Sequence, residues 1–160
     1  MTDIPGLKAR LPGIKVEDHP TLVRQKSRDF FWYSPVLKRR LDLVTADCVI
    51  VPRSVDEVVA ALAACHALAI PVTPRGTGTG NYGQAMPLSG GAILDLSAMS
   101  RVHSIAPGRV VTEAGAIIHA VDREAKAHSG QEMRLHPSTA RTATIGGFIA
   151  GGSAGIGSAR

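Results

Sequence analysis

An α+β domain that opens with a βαβ unit and continues into a mixed sheet is predicted by three local patterns. Cys48-Val-Ile-Val51 is a short apolar run closed by Pro52, which reads as a strand. Ser54-Val-Asp-Glu57 is a capping box, and Val58, Leu62, Cys65 and Ala69 repeat after it at helical spacing, so a helix with an apolar stripe starts at Ser54. Residues 70–74 form the second strand and deliver a glycine-rich loop to its C-terminal end, where α/β sheets bind ligands.

The 160-residue length suits one domain with a real core. Hydrophobic residues make up 44% and charged residues 19%, and only six residues are aromatic, so Ala, Val, Ile and Leu fill the core. No apolar run approaches the length of a membrane span, so none is expected. The start, Met-Thr-Asp-Ile-Pro-Gly, has no apolar h-region, and no secretory signal is expected. Cys48 and Cys65 lack metal-ligand spacing and are expected as buried thiols in a reducing compartment, with the cytoplasm as location and no bound metal.

Residues 1–45 are expected to form a basic, aromatic-containing arm ahead of a domain over 46–160. The whole formal excess of +5 sits in the first forty residues, where nine Lys and Arg face only Asp3, Glu17, Asp18 and Asp29. Phe30-Phe31-Trp32-Tyr33 lies inside this segment. Stacking platforms for single-stranded nucleic acid need spacing, whereas contiguous aromatics anchor a segment onto a core. The arm is therefore expected to pack on its own protein or on a partner subunit, and nucleic acid is not an expected partner. His66, next to the helix stripe, is read as a packed or solvated residue.

The loop Pro74-Arg-Gly-Thr-Gly-Thr-Gly-Asn-Tyr-Gly-Gln84 carries the clearest chemistry. Its glycines allow positive φ and a close approach of backbone N–H groups to one anion. Thr77, Thr79 and Asn81 add donors, and Arg75 adds a fixed positive charge, a set suited to a pyrophosphate. Gly78 to Gly83 formally matches G-x-G-x-x-G, but Pro87 and Gly90-Gly91 follow where a helix would have to open, and Asp95 comes too early to hold a ribose. The Lys-Ser/Thr ending of an ATP- or GTP-binding loop is missing as well. A mobile surface loop is the bland alternative.

Past the loop, Ile93-Leu94 and Val102 to Ile105 are predicted as short strands joined by a turn, and Arg109 to Ala114 as another strand. A helix is predicted over Ile117 to His128, with Ile117 or Ile118, Val121 and Ala125 on one face. Asp95 and Glu113 stand at strand ends, where capping or exposure explains a carboxylate without catalysis. The tail, Pro137-Ser138 and then Thr144 to Gly155, combines hydroxyls with close glycines. Phe148-Ile149-Ala150 interrupts what would otherwise be a bare linker, so a packed, ligand-facing segment is predicted.

Five stretches in order, Pro74 to Gln84, Gly91-Ala-Ile-Leu-Asp-Leu-Ser-Ala-Met99, Val111-Thr-Glu-Ala-Gly115, His136-Pro-Ser138 and Thr144-Ile-Gly-Gly147, resemble landmarks of FAD-linked oxidases. These have a p-cresol methylhydroxylase type (vanillyl-alcohol oxidase type) FAD-binding domain, and glycolate oxidase flavin subunits and D-lactate dehydrogenases are among them. The resemblance covers about residues 45–160. It implies FAD, with Pro74, Arg75, Gly76, Thr77, Gly78, Thr79, Gly80, Asn81 and Gln84 at the pyrophosphate. Pro137, Ser138, Thr144, Gly146, Gly147, Gly151, Ser153 and Gly155 fall where the family contacts the rest of the cofactor. His136 flanks this set and is assigned no catalytic role.

Two departures from the family stand out. Gly76-Thr77-Gly78 replaces three consecutive glycines, and Thr79 lies near the position of a flavin-attaching histidine, so the flavin is expected to be non-covalent. The family continues past residue 160 into further strands and a substrate domain, so an N-terminal portion is expected. The resemblance implies hydride removal by a flavin-dependent oxidoreductase from a C–H bond, commonly of a small-molecule 2-hydroxy acid. This chain alone is expected to be inactive. The alternative is a non-catalytic nucleotide-binding or interaction fragment.

Overall fold

The computed structural model describes residues 2–158. Its main sheet has four strands, β1 (Lys15–Glu17), β2 (Cys48–Val51), β3 (Val72–Arg75) and β4 (Ala92–Asp95), in the order β1-β2-β4-β3. β2, β4 and β3 are parallel, with Ile50 opposite Leu94 and Arg75 opposite Asp95, while β1 is antiparallel to β2. The predicted βαβ unit is present. Its helix α4 (Val55–Ala67) is capped by the Ser54 hydroxyl, which accepts from Glu57 N–H at 3.2 Å. The Glu57 carboxylate in turn accepts from Arg53 N–H at 2.7 Å, so the box closes one residue earlier than its standard form. Ser54→Ala should lower the unfolding free energy by about 1 kcal/mol in a denaturant titration; an unchanged midpoint would show that Glu57 alone secures this helix end.

Period-two alternation decides the layers. Cys48, Ile50, Ala92 and Leu94 face one way, into a core with Ala61, Ala64 and Cys65 of α4 and with Leu7 and Leu11. Val49 and Ile93 face the other way, against Val23 and Ala46. Leu7 belongs to α1 (Ile4–Arg10) and Val23 to α2 (Pro20–Lys26), so the basic N-terminal segment contributes a helix to each face and β1 to the sheet edge, and its last helix, α3 (Pro35–Leu41), precedes β2. Lys8, Lys15 and Lys26 pair with Asp18, Glu17 and Asp95. Of the four adjacent aromatics, only Phe31 is buried. Both cysteines are buried and free; burial first, then the neighbouring Cys65, pushes the Cys48 thiol up to about 12.

The expected strands after β4 form, but they do not extend the main sheet. β5 (Val102–Ala106) and β6 (Arg109–Thr112) make a separate antiparallel hairpin, reached through a 3-10 turn at Leu96–Ala98. α5 (Ile118–Ser129) buries Ile118, Val121 and Ala125, the face that the periodicity predicts. The tail contains a helix that its glycines conceal, α6 (Ile145–Ala150), capped by Thr144. Among the described residues no helix is long and apolar enough to cross a membrane.

Candidate functional site

β3 and β4 are parallel neighbours joined without a helix, so residues 76–91 must carry the chain back along the sheet. The glycine loop begins directly after Arg75, at the C-terminal edge of β3. Gly78 has a φ of +73°, a conformation that L side chains avoid. Arg75 is buried and turned beneath the loop: it donates from Nη1 to the Arg28 carbonyl at 2.6 Å and from Nη2 to the Thr77 carbonyl at 3.2 Å. Burial pushes its guanidinium below the ordinary range, and the carboxylates of Asp95 and Asp29 oppose that shift. The charge that the sequence offers for direct phosphate contact is thus engaged with two carbonyls under the loop.

Above Arg75 the backbone is open. Among the described residues, the amides of Gly78, Thr79, Gly80 and Asn81 have no hydrogen-bond partner. Successive backbone N–H groups in a turn conformation are a known means of binding an anion. This donor set fits a diphosphate such as that of FAD. Asn81 and Gln84 are exposed, and the Gln84 side chain accepts from Tyr82 N–H at 3.0 Å, bracing the end of the loop.

Two parts of the predicted site meet although they are far apart in sequence. The Thr77 hydroxyl donates to the Thr142 carbonyl at 2.6 Å, and a Cβ on Gly76 would fall on the Thr144 hydroxyl. Gly76 is therefore required by close packing as much as by any ligand. Thr144 itself is buried and accepts from Gly147 N–H at 3.3 Å. A Cβ on Gly146 would meet Ala114, and one on Gly155 would meet the His136 carbonyl, so both glycines serve packing between segments. Pro74, Ser138, Gly151 and Ser153 are exposed and Pro137 is half-buried. No hydrogen bond joins Ser138, Gly151 or Ser153 to the 74–84 loop among the described residues.

The carboxylates at strand ends are structural. Asp95 accepts from Ser97 N–H at 3.0 Å and its hydroxyl at 2.6 Å, and pairs with Lys26 at 2.7 Å. Glu113 is held by Arg101, through the backbone N–H at 2.8 Å and the guanidinium at 2.9 Å. What the sequence did not indicate is the contact of residues 28–31 with the loop, where Phe30 N–H donates to the Gly80 carbonyl at 2.7 Å. Asp29 folds its carboxylate back onto Phe31 N–H at 2.8 Å and so holds a turn there.

The family described as "FAD binding domain" matches residues 46–160. Glycolate oxidase subunit GlcD of Escherichia coli (strain K12) is 32% identical over 109 residues, which are 68% of this chain and 22% of that protein. D-lactate dehydrogenase of Archaeoglobus fulgidus is 37% identical over 109 residues, covering 68% of this chain and 24% of that one. D-2-hydroxyglutarate dehydrogenase of Escherichia coli (strain K12) is 40% identical over 118 residues, covering 70% and 11%. The chain therefore spans about a quarter or less of these relatives. Alkyldihydroxyacetonephosphate synthase has a similar fold, with a TM-score of 0.77 at 19% identity over 95% of this chain and 32% of that one. So does p-cresol methylhydroxylase with substrate bound, with a TM-score of 0.73 at 18% identity over 91% and 28%.

Proposed function

This chain belongs to the FAD binding domain family, and from that premise we propose that it is the cofactor-holding part of an FAD-dependent oxidoreductase that takes a hydride from a C–H bond of a 2-hydroxy acid. The observation that carries the proposal is the row of amides from Gly78 to Asn81 that have no partner among the described residues, braced from the side by the Thr77–Thr142 bond. Those amides would bind the diphosphate, and the buried Arg75 charge beneath them would lower the cost of bringing two negative charges to the protein. The Thr144 segment would border the remainder of the cofactor. Bound FAD supplies the hydride acceptor, while the protein's task is to hold and orient it.

The named activities of the relatives support a 2-hydroxy acid as substrate, since glycolate, D-lactate and D-2-hydroxyglutarate share that group. The subunit designation of the glycolate oxidase relative supports a partner subunit. Thr79, lacking an imidazole, supports non-covalent flavin. We place the protein in the cytoplasm.

The purified 160-residue chain, titrated with FAD and followed by flavin absorbance and fluorescence, should bind FAD in preference to NADH. No binding, or tighter binding of NADH, would refute the assignment. Anaerobic mixing of the FAD-loaded chain with glycolate or D-lactate should leave the flavin oxidised. Among the described residues the loop and the Thr144 segment bring together no base and substrate-carboxylate clamp, and alignment of reacting groups contributes about 7–11 kcal/mol to such reactions. Rapid, saturable bleaching would show that residues 1–160 already hold a complete active site.

A further inference from the structure

We propose that Arg28–Phe30, which lie outside the span matched by the family, act with Arg75 as a strap that aims the amides of Gly78 and Asn81 at the diphosphate of FAD; this rests on the FAD assignment above. Two carbonyls of the loop are drawn inward. That of Thr77 accepts from Arg75 Nη2 at 3.2 Å, and that of Gly80 accepts from Phe30 N–H at 2.7 Å. All described peptide bonds are trans, so the N–H across each peptide plane points opposite to its carbonyl. Pulling the Thr77 and Gly80 carbonyls toward the strap turns the N–H groups of Gly78 and Asn81 away from it. These are two of the amides that have no partner among the described residues.

The strap is itself fixed at both ends. Arg75 Nη1 donates to the Arg28 carbonyl at 2.6 Å, 47 residues away in sequence. The Asp29 carboxylate accepts from Phe31 N–H, holding the turn that presents Phe30 N–H to the loop. Its second oxygen is buried without a partner and would lie 3.4 Å from a Cβ on Gly80, so the turn is seated directly against the loop. Arg75 thus bonds to the strap and to the loop at once, and the donors are oriented before the anion arrives. Pre-organisation of this kind lowers the ordering cost of binding. Arg75 and Phe30 are positioning residues here, acting through carbonyls rather than by touching the phosphates.

The test compares Phe30→Pro, which lacks the N–H, with Phe30→Ala, which loses the same ring but keeps the N–H. FAD affinity is read by fluorescence titration, the bound diphosphate by its phosphorus-31 resonances, and the fold by thermal unfolding without cofactor. Phe30→Pro should bind FAD about tenfold more weakly than Phe30→Ala, with phosphorus resonances displaced toward those of free FAD. Should Phe30→Pro fail to fold, Arg75→Met, which preserves bulk and removes both carbonyl contacts, should show the same displacement relative to the unaltered chain. A purely structural strap would lower the unfolding temperature and leave the resonances of bound FAD unmoved, and that result overturns the proposal, as does equal affinity across the pair. Failure of the unaltered chain to bind FAD would instead remove the cofactor assignment itself.

Discussion

Gly78→Val should lower FAD affinity by about 100-fold. A non-glycine residue held at positive φ carries about 1–3 kcal/mol of strain, and Gly78 sits at +73°. Valine is branched at Cβ, and a Cβ at this position would also fall on the Arg75 guanidinium. Relief of the strain by a turn of the 77–78 peptide would rotate the Gly78 amide away from the anion and break the Arg75 bond to Thr77. Three kilocalories correspond to somewhat more than a hundredfold in a binding constant. The measurement is a flavin fluorescence titration of the two proteins side by side. An affinity within twofold of the original would mean that the diphosphate is held elsewhere. Because the loop emerges from the edge of the sheet rather than from the core, the unfolding temperature without cofactor should change far less than the affinity.

Loss of the Lys26–Asp95 pair should be the most destabilising change of a single charge. Asp95 ends β4 fully buried, opposite Arg75 in the parallel register, and its carboxylate satisfies Ser97 and Lys26 together. Removing one partner of a buried pair costs about 3–5 kcal/mol. Lys26 is one-third exposed and recovers some hydration, so about 3 kcal/mol is expected for Asp95→Ala in a denaturant titration. The pH dependence has a definite sign. Burial alone would raise the Asp95 carboxyl, but the bonds from Lys26 and Ser97 outweigh it and hold the group below its ordinary range. The pair's contribution is therefore complete above the unfolded carboxyl value of about 3.9 and is lost as the pH falls through the lower folded value. The unaltered protein should lose stability more steeply than Asp95→Ala below about pH 4. Parallel acid limbs would show that another carboxylate governs acid unfolding.

Residues 48–84 were legible in the sequence because their signals are local. The strand at Cys48–Val51, the Ser54 cap and the α4 stripe each occupy one short window, and a glycine at positive φ announces itself by composition. The same holds for the buried face of α5. It fails for α6, where Gly146 and Gly147 lower helix propensity and the helix instead rests on the Thr144 cap and contacts to Ala114 and Ala116.

By itself, then, the sequence determined the strand–helix–strand unit and the glycine loop that follows it, since each depends on neighbours within a few residues. Tertiary structure alone decided that β5 and β6 leave the main sheet, that β1 closes its edge, and that Arg75 points under the loop instead of out of it. It also joined Gly76 to Thr144 and Phe30 to Gly80. The partner in several of these contacts is a backbone carbonyl or amide, which every residue type carries and no residue type advertises. Which carbonyl a guanidinium reaches is settled only when chain segments tens of residues apart are packed against one sheet.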